Sequence, residues 1–445
     1  MQRDVFESLA NAICQPGADD ERITLYLAGE TSEFIRLNQA RVRQATTVRQ
    51  QGIDLTVVRG QRCLSSRLSM PDDAAQCLAM LQTELAALRD MLALVPEDPH
   101  LLLSDTISNS ERIENAAGLP DADAIIADLI GAAGPEDLVG FYAAGPVQRA
   151  FADSRGQRNW HEVASFHLEW SLFSRHPESR DQAVKSTLAG SAYSPADLQT
   201  RMDAARARLA MLEQPRKTLA PGRYRAWLAP TAVAELLQVM AWSGFSRKEQ
   251  ASGTSSLSSL TILGNRLNQQ VQINEAIESG IAPAFTTDGR TLPDRVALVT
   301  DGLLTNRLSS ARTAAEFDEH PNAIDSESPQ ALAMAGGTIS EAQSLAALDT
   351  GLWIGNLWYL NYSDRQAARV TGMTRFACFW VENGRIQAPI GVMRFDESLL
   401  NLFGNKLEGL GSDVDFLPSA NTWGERELSS VSCPGMLVSD LTLTL

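Results

Sequence analysis

Apolar and polar residues alternate in short runs over most of the chain, and the exceptions mark helices. From about Asp4 to Ile13 the pattern is amphipathic with a helical repeat. Alternation then takes over. Arg22–Ala28, Glu33–Leu37, Arg41–Arg49, Ile53–Arg59 and Cys63–Leu68 read as strands, with turn signals at Asn38-Gln39, Gln51-Gly52 and Gly60-Gln61. Short strands joined by tight turns describe an antiparallel meander. Asp72–Leu94 returns to helical spacing through Leu78, Leu81, Leu85, Leu88 and Leu92. Ala122–Ile130 predicts a further helix. Leu138–Tyr142, Val147–Ala152 and Trp160–Phe173 predict strands, with Ser154-Arg155-Gly156 at a hairpin tip. Ala196–Met211 is a charged helical segment.

The stretch Glu213–Gly222, broken by Pro215 and Pro221, reads as a linker. It divides the chain into an N-terminal domain, 1–213, and a C-terminal domain, 223–445. The second half opens with a strand, Tyr224–Leu228, and a helix, Thr231–Trp242, followed by a polar loop, Ser243–Ser259. Beyond it the pattern is mostly β. Asp301-Gly302 and Asn383-Gly384, each flanked by strand-like runs, are strong hairpin signals, because both central residues of such turns need positive φ. Met436–Leu445 alternates as a closing strand. The fold class that follows is α+β: an N-terminal antiparallel sheet with packed helices, the main one Asp72–Leu94, and a β-rich C-terminal domain with one principal helix.

Composition narrows the function. The 445 residues carry 38 Lys and Arg against 54 Asp and Glu, a net charge of −16. That field opposes a broad nucleic-acid or anionic-membrane surface. No secretory leader is visible, and no run approaches the length of a membrane span, so a cytoplasmic protein is expected. The five cysteines, Cys14, Cys63, Cys77, Cys378 and Cys433, are scattered and odd in number, as reduced thiols in such a compartment would be.

Candidate chemistry is sparse. The histidines are His100, His161, His167, His176 and His320. His161-Glu162-Val-Ala-Ser-Phe-His167 approaches a zinc motif, but its histidines are six residues apart on an apparent strand. That spacing puts them on one face but roughly 20 Å apart, so an exposed or half-buried sheet face is the plain reading. An active site built on His161 or His167 with Glu162 or Glu169 is a weaker alternative. His100 and His320 sit in polar, proline-flanked loops and read as solvated. No nucleophile elbow or phosphate loop occurs. Cys378 lies in a strand and reads as a small hydrophobe. The region Trp353–Trp380 interleaves Trp353, Trp358, Tyr359, Tyr362, Phe376, Phe379 and Trp380 with Arg365, Arg369 and Arg375. It is either sheet core with solvated edges or a binding groove or subunit interface, where such residues are favoured. Trp353, Trp358, Tyr359 and Arg375 are the candidates.

Taken in order and spacing, Ser32–Ala45 and Gly52–Gly60 resemble the opening meander, and Gly351–Asn356 and Thr371–Ile390 the C-terminal region, of the TldD/PmbA metallopeptidase family, over nearly the whole chain. Active members carry HExxxH on a helix of the second domain, and a distant cysteine completes a zinc site. Aligned through Phe245-Ser-Arg-Lys248, that motif falls on Ala234-Glu235-Leu236-Leu237-Gln238-Val239. Glu235 matches the general-base glutamate, while Ala234 and Val239 replace both histidines. The cysteine region does not match either. The resemblance therefore implies the non-catalytic PmbA/TldE-type branch: no catalytic or metal residue in this chain, zinc in a TldD-like catalytic partner, and an extended peptide substrate held as an added strand. The partner is then a TldD-like subunit in a heterodimer, or a second copy in a homodimer. A self-associating peptide-binding or scaffold protein without proteolytic activity is the alternative.

Overall fold

The computed structural model describes residues 1–17, 20–119, 121–175, 182–262 and 264–444. His176 and Leu445 lie outside the described residues. The first sheet contains β1 (Glu21–Asn38), β2 (Arg41–Arg59), β3 (Arg62–Ser69), β4 (Ser110–Glu114), β5 (Asp137–Asp153), β6 (Arg158–Phe173) and β7 (Ala183–Gly190). Its order is β3-β2-β1-β5-β6-β4, with β7 also on β6. Every pairing is antiparallel except β4 on β6, which is parallel, a departure from the all-antiparallel expectation.

Several predicted strands prove to be halves of longer ones. β1 pairs with β2 almost without interruption from Glu21↔Arg59 to Asn38↔Arg41, so Gln51-Gly52 is no turn. Glycine there lies in extended backbone, and the ladder to β3 runs through Gly52↔Ser69. Leu138–Tyr142 and Val147–Ala152 likewise fuse into β5. Ser154-Arg155-Gly156 does turn β5 into β6.

Alternation sorts each strand between two faces. Ile23, Leu25, Leu27, Ile53, Leu55 and Val57 pack beneath α1 (Arg3–Ile13) and α2 (Ala74–Leu92), whose Leu81, Leu85, Leu88 and Leu92 fall on one helical stripe. Asp73 starts α2 by accepting the Gln76 amide at 2.7 Å, so the helix begins where its first free N–H groups find an acceptor. Phe166, Leu168, Trp170 and Leu172 pack beneath α3 (Ala122–Ala133) and α4 (Pro195–Leu212). Pro195 sits in the first turn of α4, where it has no hydrogen bond to lose, after the capping Ser194.

The second sheet contains β8 (Gly222–Leu228), β9 (Ile273–Glu275), β10 (Val296–Thr300), β11 (Leu303–Leu304), β12 (Ala331–Met334), β13 (Gly351–Asp364), β14 (Arg369–Glu382), β15 (Arg385–Pro389), β16 (Arg394–Ser398), β17 (Leu407–Pro418) and β18 (Ser430–Leu443). The path β18-β16-β14-β13-β8 closes on itself because β8 also pairs with β18. Both predicted hairpins form. Asp301 and Gly302 have φ of 49° and 74°, and Asn383 and Gly384 have 52° and 68°. The principal helix, α5 (Pro230–Ala241), is packed on β13 and β18. The predicted loop Ser243–Ser259 carries a short helix, Arg247–Ala251, and the start of another, Ser258–Ile262. No described helix is long and apolar enough to cross a membrane.

The two domains share a core. Leu198, Met202, Ala205 and Leu209 of α4 pack in one cluster with Trp227, Trp353, Phe379 and Leu437 of the second sheet. Helix α4 is thus clamped between the sheets, and it positions the groove described next.

Candidate functional site

Helix α5 presents two faces. Ala232, Val233, Ala234, Leu236, Leu237, Val239 and Met240 are buried. Thr231, Glu235, Gln238 and Trp242, spaced as one helical stripe, face outward. Ala234 and Val239, the two positions aligned with metal ligands, therefore sit in the core of the second domain. Only Glu235 lies on the open stripe, half-buried. Burial raises its carboxyl pKa; Lys185 opposes the shift and Glu169 adds to it. Among the described residues Glu235 makes no hydrogen bond or ion pair. Neither Ala nor Val can donate to a metal, and the described residues bring together no group of three or more His, Cys, Asp or Glu able to hold one. The zinc site of active family members does not fit here.

The stripe lies toward the β7 end of the first sheet. Between α5, β7, α4 and the end of β17 lies a cavity of about 470 Å³, walled by Lys185, Thr187, Arg201, Arg208, Thr231 and Asp415. Leu417 separates it from a second cavity of about 290 Å³, lined by Gln238, Trp242, Gln330, Ser419 and Glu427. The cations along this groove are matched within the chain. Lys185 pairs with Glu169 at 2.6 Å, Arg201 with Asp415 at 3.1 Å and Arg208 with Glu341 at 2.9 Å. Among the described residues β7 pairs with β6 alone, which makes it an edge strand, and its Lys185, Ser186, Thr187 and Leu188 line this cavity.

Both β6 histidines are buried, which corrects the expectation of an exposed or half-buried face. The face they occupy is covered by the second domain, something no local pattern could show. Nε2 of His161 lies 3.1 Å from the Ile281 carbonyl oxygen, and burial together with Arg112 lowers its pKa to about 4. Its charged neighbours are arginines, so it is not a ligand of a shared ion. His167 follows Ser165 and precedes Glu169 on that face. Among the described residues neither of its ring nitrogens has a partner, and burial lowers its pKa. His100 is half-buried beside Asp98, and His320 is exposed. Cys378 is buried, with its thiol pushed up to about 11 by desolvation, as suits an inert packing residue.

Sequence reasoning missed the strap over the groove. Residues 419–429 join β17 to β18 and cross onto the first sheet. Arg426 is buried there. Its Nη2 donates to the Ser165 hydroxyl at 2.8 Å and to the Ser165 carbonyl at 3.0 Å, and its Nη1 donates to the Gly145 carbonyl at 2.9 Å. Its backbone amide donates to Glu30, itself buried. Arg149 pairs with Glu425 at 3.3 Å alongside. A lone arginine in a polar loop carries no sequence signal that its partners lie in the other domain.

The aromatic region divides. Trp353 is 5% exposed and packs against Phe379, with the Arg208 guanidinium 4.6 Å from its ring centre. Tyr362 donates to the Val239 carbonyl at 2.7 Å and so ties off the end of α5. Further along β13, Trp358 is 44% and Tyr359 73% exposed, their rings edge to face at 4.6 Å. Arg375 lies over Trp358 at 4.7 Å. The β13–β14 register shifts here, and Tyr359 and Phe376 have φ of 58° and 60°. Bulky residues avoid that region, at a cost on the order of 1–3 kcal/mol each.

Two sheets of this topology with α4 between them place the chain in a known α+β class. A solved structure of TldE from Thermococcus kodakarensis superposes with a TM-score of 0.80 over 99% of this chain and 100% of that one, at 12% identity. A proposed modulator of DNA gyrase from Thermotoga maritima gives 0.77 over 99% of each chain at 14% identity. A second such protein, from Bacteroides thetaiotaomicron, gives 0.75 over 99% and 98% at 15% identity. At these identities the likeness speaks for the fold alone. No curated protein matches in sequence. The sequence profile of the PmbA/TldA metallopeptidase C-terminal domain, however, matches residues 221–445, half of the chain. The chain belongs to the PmbA/TldD family.

Proposed function

We propose that this chain is the non-catalytic, PmbA/TldE-type subunit of a heterodimeric peptidase. Its TldD-like partner holds the zinc, and the pair acts on unfolded or extended peptides in the cytoplasm. One observation carries the reading. The helix aligned with HExxxH keeps its glutamate on the half-exposed outward stripe while both ligand positions, Ala234 and Val239, are apolar and buried. Without a metal-activated water, a lone carboxylate is a poor hydrolytic device at neutral pH. The rest of the framework, from the first strand of the meander to the last of the second sheet, is present, which supports a role other than cleavage.

The edge of β7 supports the peptide half of this reading, since an extended chain gains main-chain hydrogen bonds by adding to such an edge. The exposed Trp358 and Tyr359, with the half-buried Arg375 over Trp358, support the subunit half, because aromatic and arginine side chains anchor interfaces. Trp353 contributes to the core instead. The five unpaired thiols support a reducing compartment. Cleavage of a disordered peptide by this chain, by a TldD-like subunit and by their mixture tests the proposal. The expected result is turnover by the mixture alone. Equal turnover without this chain contradicts it, and a homodimer that binds peptide but cleaves none in any mixture favours the scaffold reading.

A further inference from the structure

We propose that the groove between α5 and β7 is selective for basic peptides: it holds an extended polypeptide whose lysine or arginine side chain is received by Glu235. The inference rests on the peptide-binding reading above and adds the chemical class of the peptide.

Three observations carry it. First, charge along the groove does not balance. Lys185, Arg201 and Arg208 are each paired with another carboxylate, and among the described residues Glu235 and Asp197 have no ion pair of their own, Lys185 reaching Glu235 only through its field. The surplus is negative, so a ligand gains by bringing positive charge. Second, Glu235 is placed to use that surplus. It lies on the open stripe of α5 between Thr231, which lines the larger cavity, and Gln238, which lines the smaller one. A half-buried carboxylate with no partner is unfavourable until a donor reaches it. Third, β7 runs alongside as an edge strand, paired among the described residues with β6 alone, so an extended chain can add to it. The groove thus has an unmet side-chain acceptor and an open strand edge in one place.

Fluorescence anisotropy with the full-length chain tests this, using three labelled disordered peptides of equal length in a Gly/Ser background: one with interspersed lysines, one neutral, one with interspersed glutamates. The lysine peptide should bind about tenfold more tightly than the neutral one, and the glutamate peptide more weakly still, with the spread narrowing as salt rises. Glu235→Gln, close in shape, should lower affinity for the lysine peptide about fivefold and leave the neutral peptide unchanged, with an unaltered melting temperature as the check on folding. Glu316→Gln, a carboxylate away from this groove, should change neither. Equal binding of all three peptides overturns the basic selectivity and leaves the peptide-binding reading standing. A lysine preference that survives Glu235→Gln overturns the assignment to Glu235. No binding of any peptide overturns both.

Discussion

Strand β13 contains two tryptophans five residues apart that do opposite things. Trp353 is sealed between the second sheet and α4, under Arg208 and against Phe379. Trp358 stands in solvent with Tyr359 and Arg375, beyond a shift in register that turns the strand outward. The two share a residue type, a strand and a preceding leucine. What separates them is the backbone: the first follows the ladder into the inter-domain core, and the second follows a bulge held by two aromatic residues at positive φ. The inner half of the hairpin joins the domains, and the outer half is available for something outside the chain.

Mutations that treat the two halves alike will break this contrast if it is wrong. The largest effect is expected at the inner end. Trp353→Ala should destabilise by about 3–5 kcal/mol, the usual cost of emptying a large core site, read as a shift in the urea midpoint. Next comes the other inter-domain tie. Arg426→Ala leaves the buried acceptors on Ser165 and Gly145 without their donor, at about 3 kcal/mol in all, and should expose the seam to protease before either sheet unfolds.

A third test uses pH. Glu275, buried at the end of β9, accepts the Gln330 amide at 2.8 Å, and desolvation raises its pKa to about 7. A carboxyl whose folded pKa exceeds its unfolded value contributes full stability below the unfolded pKa and loses it as pH rises through the folded one. Stability should therefore fall between about pH 4.5 and pH 7. Glu275→Gln should remove that slope, so the variant gains on the wild type by about 3 kcal/mol across the window. A melt series in which the two proteins track each other contradicts the assignment. The smallest effect on stability belongs to the outer end. Trp358→Ala should change it by less than about 1 kcal/mol, in the range of exposed sites. If that end anchors a partner, the same change should weaken association by about 1–4 kcal/mol.

Much of the fold was legible because its signals are local. Asn383-Gly384 and Asp301-Gly302 formed the turns their chemistry demands, and the leucine stripe of Asp72–Leu94 became α2. Errors came where a local signal lost to a long-range ladder: Gly52 reads as a turn, yet β1 and β3 pair on either side of it. The site was less legible. That Ala234 and Val239 cannot bind metal follows from their identity alone. The groove, the unmet His167 and the Arg426 strap arise from contacts between residues far apart in sequence, and alternation on β6 cannot say whether its second face meets water or another domain.

As the metal-free half of a pair, the function proposed for it, this chain must bind a TldD-like subunit. Native mass spectrometry of the chain mixed with a TldD-like subunit tests it most directly. The prediction is a complex with one copy of each chain and zinc that travels with the partner when the complex is dissociated. Stoichiometric zinc on this chain alone, or a spectrum in which the two never associate, would contradict it.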